Sequence, residues 1–271
     1  MSLVETDWLE KNLTKVKIVD CSWHMPQTQR NGYEEYKSLH IPNAIFFDLD
    51  ENSKKDTALP HMLVDQISWD TIVSNMGIQK NDKIVIYDNS DVISSCRCWF
   101  NFIYYGHDPK LINVLNGGLK KWIKEKKKVT DRILNVVKSN YKSLERKDLV
   151  KSKNAIDQNL EEKKFILIDA RSRERFEGKV PEPRKGLRSG CIKNSFCIPF
   201  NDCLNENKTF RNKDELQKIF GTSLENLEQK NIVFSCGSGV TACVLALAYS
   251  LINDKYLPCI YDGSWAEYGL I

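Results

Sequence analysis

The chain repeats itself. When its first half is laid on its second at an offset of about 146 to 151 residues, four segments coincide in the same order. VKIVDCSW (16–23) falls on FILIDARS (165–172), and HIPNAIFFD (40–48) falls on CIKNSFCIPF (191–200). KIVIYD (83–88) meets NIVFSC (231–236), and VLNGGLKKW (114–122) meets IYDGSWAEY (260–268). A tandem duplication of one folding unit is expected, which fits a length of 271 residues, since one domain commonly takes roughly 100 to 200. The expected division is a first domain over 1–130, a lysine-rich linker over 131–147 and a second domain over 148–271. Ile133, Leu134, Val136 and Val137 are candidates to bury the linker along the surface.

Within each copy, short apolar runs ending in a polar residue alternate with longer amphipathic stretches. VKIVD (16–20), KIVIYD, FILID (165–169) and NIVFSC have the continuous hydrophobicity of strands covered on both faces. Strands of that kind joined by helices predict the α/β class, with a mainly parallel sheet flanked by helices in each half.

Composition excludes several classes. Hydrophobic residues at 41% and charged residues at 28% are ordinary for a globular protein. A net charge of +4, from 40 basic against 36 acidic residues, is too balanced to call for a nucleic-acid partner. No stretch approaches the roughly 20 apolar residues of a membrane span, so no membrane partner is expected. The opening residues, MSLVETDWLEKNL, read as neither signal nor transit peptide, and the nine cysteines then read as reduced thiols of a cytoplasmic protein. Cys96 and Cys98 lack the spacing of a zinc pair, and neither a metal nor a cofactor is expected.

The two copies differ where their third aligned strand ends. Asp88 stands in the first copy where Cys236 stands in the second, so chemistry is expected in the second domain alone. Cys236 is followed by GSGVTA and then by the apolar run CVLALAYSLI (243–252), which puts a cysteine at a strand-to-helix turn. A buried core thiol is the commonest fate of a cysteine. Here Gly237 and Gly239 are expected to allow positive φ, curling the N–H groups inward. Such a cradle at a helix start favours a thiolate and an anionic sulfur substituent.

The loop CGSGVTAC (236–243) resembles the active-site loop of the rhodanese superfamily, and in particular of its 3-mercaptopyruvate sulfurtransferase type. VDCSWHMP (19–26), HIPNAIFFDLD (40–50), VLNGGLKKW, IDARSRERFEG (168–178), PEPRKGLRSG (181–190) and YDGSWAEYG (261–269) extend the resemblance over nearly the whole chain. It implies two tandem rhodanese-like domains. It also implies transfer of sulfur from a small anionic donor, through a Cys236 persulfide, to a thiol acceptor such as thioredoxin or to cyanide.

The resemblance carries a proton relay onto Ser238, His61 and Asp50, with His61 reaching across from the first domain. It carries substrate anchoring onto Arg175 and Arg184, whose planar guanidinium groups suit a carboxylate. Gly237, Gly239, Val240 and Thr241 are expected to line the donor site, whereas Arg171 and Arg173 are read as structural and Cys243 as a packing residue. One departure is Cys191-Ile192-Lys193-Asn194, which replaces the family's His-Ile-Pro-Gly-like turn in the second half and bears on packing. Thiosulfate is the rival donor. Loops of thiosulfate enzymes carry basic residues at the two positions after the cysteine, where this chain has Gly237 and Ser238. A cysteine phosphatase or arsenate reductase of the same architecture needs an arginine six residues after the nucleophile, and Ala242 stands there. A noncatalytic sulfur or anion sensor is expected to lack Cys236 or its relay partners.

Overall fold

The computed structural model describes residues 2–224 and 231–271. They form two compact units that do not follow the halves of the chain strictly. The first comprises Met1–Lys54, Leu63–Arg146 and Glu206–Thr209, and the second Lys55–Met62, Lys147–Asn205 and Phe210–Ile271. Among the described residues no helix is long and apolar enough to cross a membrane.

Each unit is built on a five-stranded sheet in which every pairing is parallel. In the first, β1 (Leu3–Val4), β2 (Lys17–Asp20), β3 (Ala44–Phe46), β4 (Ile84–Tyr87) and β5 (Ile112–Leu115) take the order β1-β5-β4-β2-β3. In the second, β6 (Val150–Lys151), β7 (Ile166–Asp169), β8 (Phe196–Cys197), β9 (Ile232–Ser235) and β10 (Ile260–Tyr261) take the matching order β6-β10-β9-β7-β8. The four apolar runs picked out in the sequence are β2, β4, β7 and β9, each trimmed by a residue at one or both ends. Inner strands β4 and β9 are buried at every residue, as the absence of polar alternation requires.

The duplication extends to single turns. Asn43 and Asn194 both adopt left-handed backbone, at φ 67° and 64°. Asparagine tolerates that region better than other residues with a Cβ. The same turn bond precedes β3 and β8: Ala44 donates its N–H to Ile41 at 3.1 Å and Ser195 to Ile192 at 3.2 Å. The cysteine that replaces histidine in the second turn therefore leaves its geometry intact.

Helices follow β4 and β9. Ser95–Tyr104 is buried over its whole length, and Ala242–Ser250 over all but its last residue. The second of these lacks a polar face, so it reads as an interior helix. It fixes the loop before it, because Leu245 and Leu247 are buried and truncating either to alanine would cost about 2 to 5 kcal/mol. Cys96, Cys98 and Cys243 are fully buried in these helices and behave as small apolar residues.

Residues 131–146 run along the first unit, and of the apolar residues expected to bury, Leu134 and Val136 are half-buried whereas Val137 is 88% exposed and Ile133 is 50% exposed. Polar bonds also hold the segment. Ser139 donates its N–H to the Ser74 carbonyl at 2.9 Å, and Ser143 donates its N–H and hydroxyl to Asp70 at 2.8 and 2.5 Å. The one large buried side chain, Tyr141, stacks on His107 and has its hydroxyl 3.0 Å from Nδ1 of that ring.

Candidate active site

Cys236 follows β9 directly and is only 2% exposed. The short helix Ser264–Tyr268 backs its loop: Trp265 donates its N–H to the Cys236 carbonyl at 2.9 Å, and Ala266 donates to the Gly237 carbonyl at 2.8 Å. Both carbonyls are thereby turned towards the helix. Gly239 adopts φ +76°, which folds the chain back before the helix at Ala242. Val240 is buried and Thr241 caps that helix, their carbonyls accepting from Cys243 and Val244.

Gly237 differs from the expectation. It does not adopt positive φ; its lack of a side chain serves a close approach instead. A Cβ there would stand 3.3 Å from Nη2 of Arg175 and 3.6 Å from Nη1 of Arg184. Two guanidinium groups thus flank the residue after the cysteine.

Ser238 and His61, both buried, meet with Oγ 3.0 Å from Nδ1. Arg184 Nη2 donates to the same Oγ at 3.3 Å. A guanidinium is a donor only, so the Ser238 oxygen accepts from Arg184 while its hydroxyl lies within hydrogen-bond distance of the imidazole. His61 was expected to reach across from the first domain, but Lys55–Met62 belongs to the second compact unit. Its backbone is left-handed, at φ 60°, a conformation that persists for a non-glycine residue only when its surroundings hold it. Asp50 lies in the first unit, where its Oδ2 accepts from the Trp23 indole at 2.9 Å.

Sequence reading missed Glu182. Its carboxylate is 1% exposed and accepts from two arginines: Arg171 Nη1 at 2.8 Å, Arg175 Nε at 3.2 Å and Arg175 Nη2 at 2.6 Å. Arg171 is wholly buried and also binds Asp169 and the Gly190 carbonyl, with its guanidinium 4.4 Å from the Trp265 ring centroid. Burial opposes its charge, but Asp169 and Glu182 outweigh burial and hold its pKa above the ordinary arginine value. Arg171 is therefore a scaffold on which Glu182, and through it Arg175, is oriented. Arg173 points to the surface and pairs with Asp202 at 3.2 Å.

The corresponding loop of the first unit is closed by its own acid. Asp88 accepts from the Ser90 N–H at 2.9 Å through Oδ1 and from the Ser95 N–H at 2.9 Å through Oδ2. The loop after β4 thus wraps its N–H groups around a carboxylate. Burial, the largest influence on Asp88, raises its pKa. Among the described residues no cluster of three or more His, Cys, Asp or Glu side chains is placed to hold a metal ion.

Comparison with known proteins agrees with this architecture. The rhodanese-like domain family matches residues 5–125 and again 152–270. A protein named thiosulfate/3-mercaptopyruvate sulfurtransferase 1, mitochondrial, from Arabidopsis thaliana is 38% identical over 98% of this chain and 75% of its own length. The thiosulfate sulfurtransferase of Rattus norvegicus is 34% identical over 98% of this chain and 91% of its own. The crystal structure of SseA from Escherichia coli, described in terms of the rhodanese fold and the catalytic mechanism of 3-mercaptopyruvate sulfotransferases, superposes with a TM-score of 0.87. It is 28% identical, and the match covers 98% of this chain and all of SseA. Twin parallel sheets of the same strand order, together with two matches to one domain, mean that this chain belongs to the rhodanese family and carries its domain twice.

Proposed function

We propose that this chain is a sulfurtransferase that takes sulfur from 3-mercaptopyruvate onto Cys236 and passes it to a thiol. The observation that carries this reading is the pair of guanidinium groups, Arg175 and Arg184, beside Gly237. Each can donate paired hydrogen bonds to a carboxylate, and a donor held there brings its sulfur to the thiol one residue away.

In the first half-reaction the Cys236 thiolate attacks the donor sulfur. An S–S bond forms as the C–S bond breaks, and the electron pair of the C–S bond leaves with pyruvate as its enolate. Ser238 and His61 take the proton of the donor thiol and deliver it to the enolate carbon, with Asp50 as the third member of the relay. The persulfide anion is held by the loop N–H groups of Gly237, Gly239, Val240 and Thr241. The Asp88 carboxylate, cradled by the equivalent loop, supports this part of the reading. An acceptor thiolate then attacks the outer sulfur and the S–S bond breaks, returning the Cys236 thiolate. A dithiol protein of the thioredoxin kind is the proposed acceptor, and cyanide serves in an assay.

Thiosulfate is the second reading, favoured by the names of the relatives. Steady-state kinetics with both donors decide: kcat/KM is expected to favour mercaptopyruvate by at least about tenfold. A preference for thiosulfate of that size would replace the first reading. Residence in the cytoplasm belongs to the proposal, on the strength of nine free cysteines, and cell fractionation tests it. So does the division into 1–130, 131–147 and 148–271, for which limited proteolysis within 131–147 is the check.

A further inference from the structure

The turns after β5 and β10 are copies of one another. Gly118 has φ +54° and Ser264 has φ +49°. In each copy the next residue donates its N–H to the start of the anion loop, Leu119 to the Asp88 carbonyl and Trp265 to the Cys236 carbonyl, both at 2.9 Å. Glycine is the residue such a backbone ordinarily takes, and the first unit has no room for anything else: a Cβ on Gly118 would lie 2.4 Å from the Asp88 oxygen. The second unit keeps a serine in the strained conformation and buries it completely. Strain that persists at one of two equivalent turns points to a task for the side chain.

Its contacts define the task. Ser264 Oγ donates to the Tyr261 carbonyl at 2.8 Å and accepts the backbone N–H of Cys236 at 3.2 Å. The hydroxyl thus ties the end of β10 to the amide of the cysteine. With the Trp265 N–H on the Cys236 carbonyl, both peptide groups flanking the cysteine Cα are anchored to one turn. We propose that Ser264 is a positioning residue for the nucleophile: its hydroxyl fixes the Cys236 backbone and so aims Sγ at the donor. The Cys236 amide is engaged by Ser264, leaving the anion cradle to the residues that follow.

This inference rests on Cys236 being the nucleophile, and its test separates the two. Ser264→Gly removes the hydroxyl and relieves the backbone. Ser264→Ala removes the hydroxyl and leaves the strain. For both variants the melting temperature, kcat and KM for 3-mercaptopyruvate, and the rate of Cys236 alkylation by iodoacetamide across pH are measured. Ser264→Gly is expected to melt no lower than wild type while kcat falls about tenfold with KM within about twofold. The alkylation profile of Cys236 is expected to change in both variants, which a purely structural role would not produce. Folded variants with wild-type kcat and alkylation overturn the proposal, as does a destabilised Ser264→Gly paired with normal Cys236 reactivity in Ser264→Ala. Alkylation needs no sulfur donor, so a wild-type protein inactive with mercaptopyruvate would sink the proposed function without touching this readout.

Discussion

Glu182→Gln isolates the contribution of one buried charge to the proposed substrate anchoring by Arg175. The wild-type carboxylate receives three guanidinium N–H groups, one from Arg171 and two from Arg175, at 2.6 to 3.2 Å. Glutamine keeps the shape but has a single acceptor oxygen and an NH2 group, which would face donors. At least one contact becomes donor against donor. Arg171 retains Asp169 and the Gly190 carbonyl, so the loss falls mainly on Arg175, which is 22% exposed and can turn into solvent. A charged hydrogen bond contributes about 1.5 to 3 kcal/mol, and losing one or two with partial relaxation is expected to destabilise the protein by about 2 to 4 kcal/mol. A wandering Arg175 no longer meets the donor carboxylate, so KM for 3-mercaptopyruvate is expected to rise about tenfold, or about 1.4 kcal/mol, with kcat within about threefold. Denaturant melts and initial-rate kinetics measure the two effects. A folded variant with wild-type stability and wild-type KM would show that Glu182 neither holds Arg175 nor reaches the site through it.

Further outcomes follow from the same geometry. His61→Ala and Ser238→Ala are each expected to slow single-turnover pyruvate release by about 10²-fold, while sulfur transfer from preformed persulfide changes less. Equal slowing of both half-reactions would remove the relay role. Gly239→Ala, at φ +76°, is expected to destabilise the second unit by at least about 1 kcal/mol and to lower kcat, read by melting and kinetics. Asp20 offers a pH test. Burial raises its pKa to about 6, against hydrogen bonds that lower it, chiefly from Ser22. The folded state then binds more protons than the unfolded one between about pH 4 and 6, so this residue's contribution to stability falls as pH rises through that window. Asp20→Asn is expected to leave stability near pH 4 unchanged and to raise it above pH 6 by about 1 to 3 kcal/mol. Parallel pH–stability curves for the two proteins would refute that assignment.

The scaffold was legible because it rests on period and repetition. Continuous apolar runs of this length pack as covered strands, and finding two of them in the same order in each half specifies twin sheets. The proposed nucleophile stands out through the contrast between Asp88 and Cys236 at equivalent strand ends. What escaped was pairing that no local pattern encodes. Glu182 sits two residues before Arg184 in a run of prolines and charges, with nothing nearby to say that its carboxylate turns inward onto Arg171 and Arg175. The one available signal was the need of a buried arginine, following a strand-end aspartate, for a second acid. Ser264 was hidden for a related reason. Only its backbone angle, set beside that of Gly118, separates it from an ordinary turn serine. The segment 131–146 misled in part, since Leu134 and Val136 are half-buried as expected but Ile133 and Val137 are exposed, and backbone hydrogen bonds and Tyr141 also hold the chain.

The most direct test of the account is the mass of Cys236 after a single turnover without acceptor. One equivalent of 3-mercaptopyruvate is expected to release one of pyruvate and to add about 32 Da, one sulfur, to the peptide carrying Cys236, while Cys236→Ser stays folded and does neither. Sulfur found on another cysteine, or pyruvate released by the Cys236→Ser protein, would contradict it.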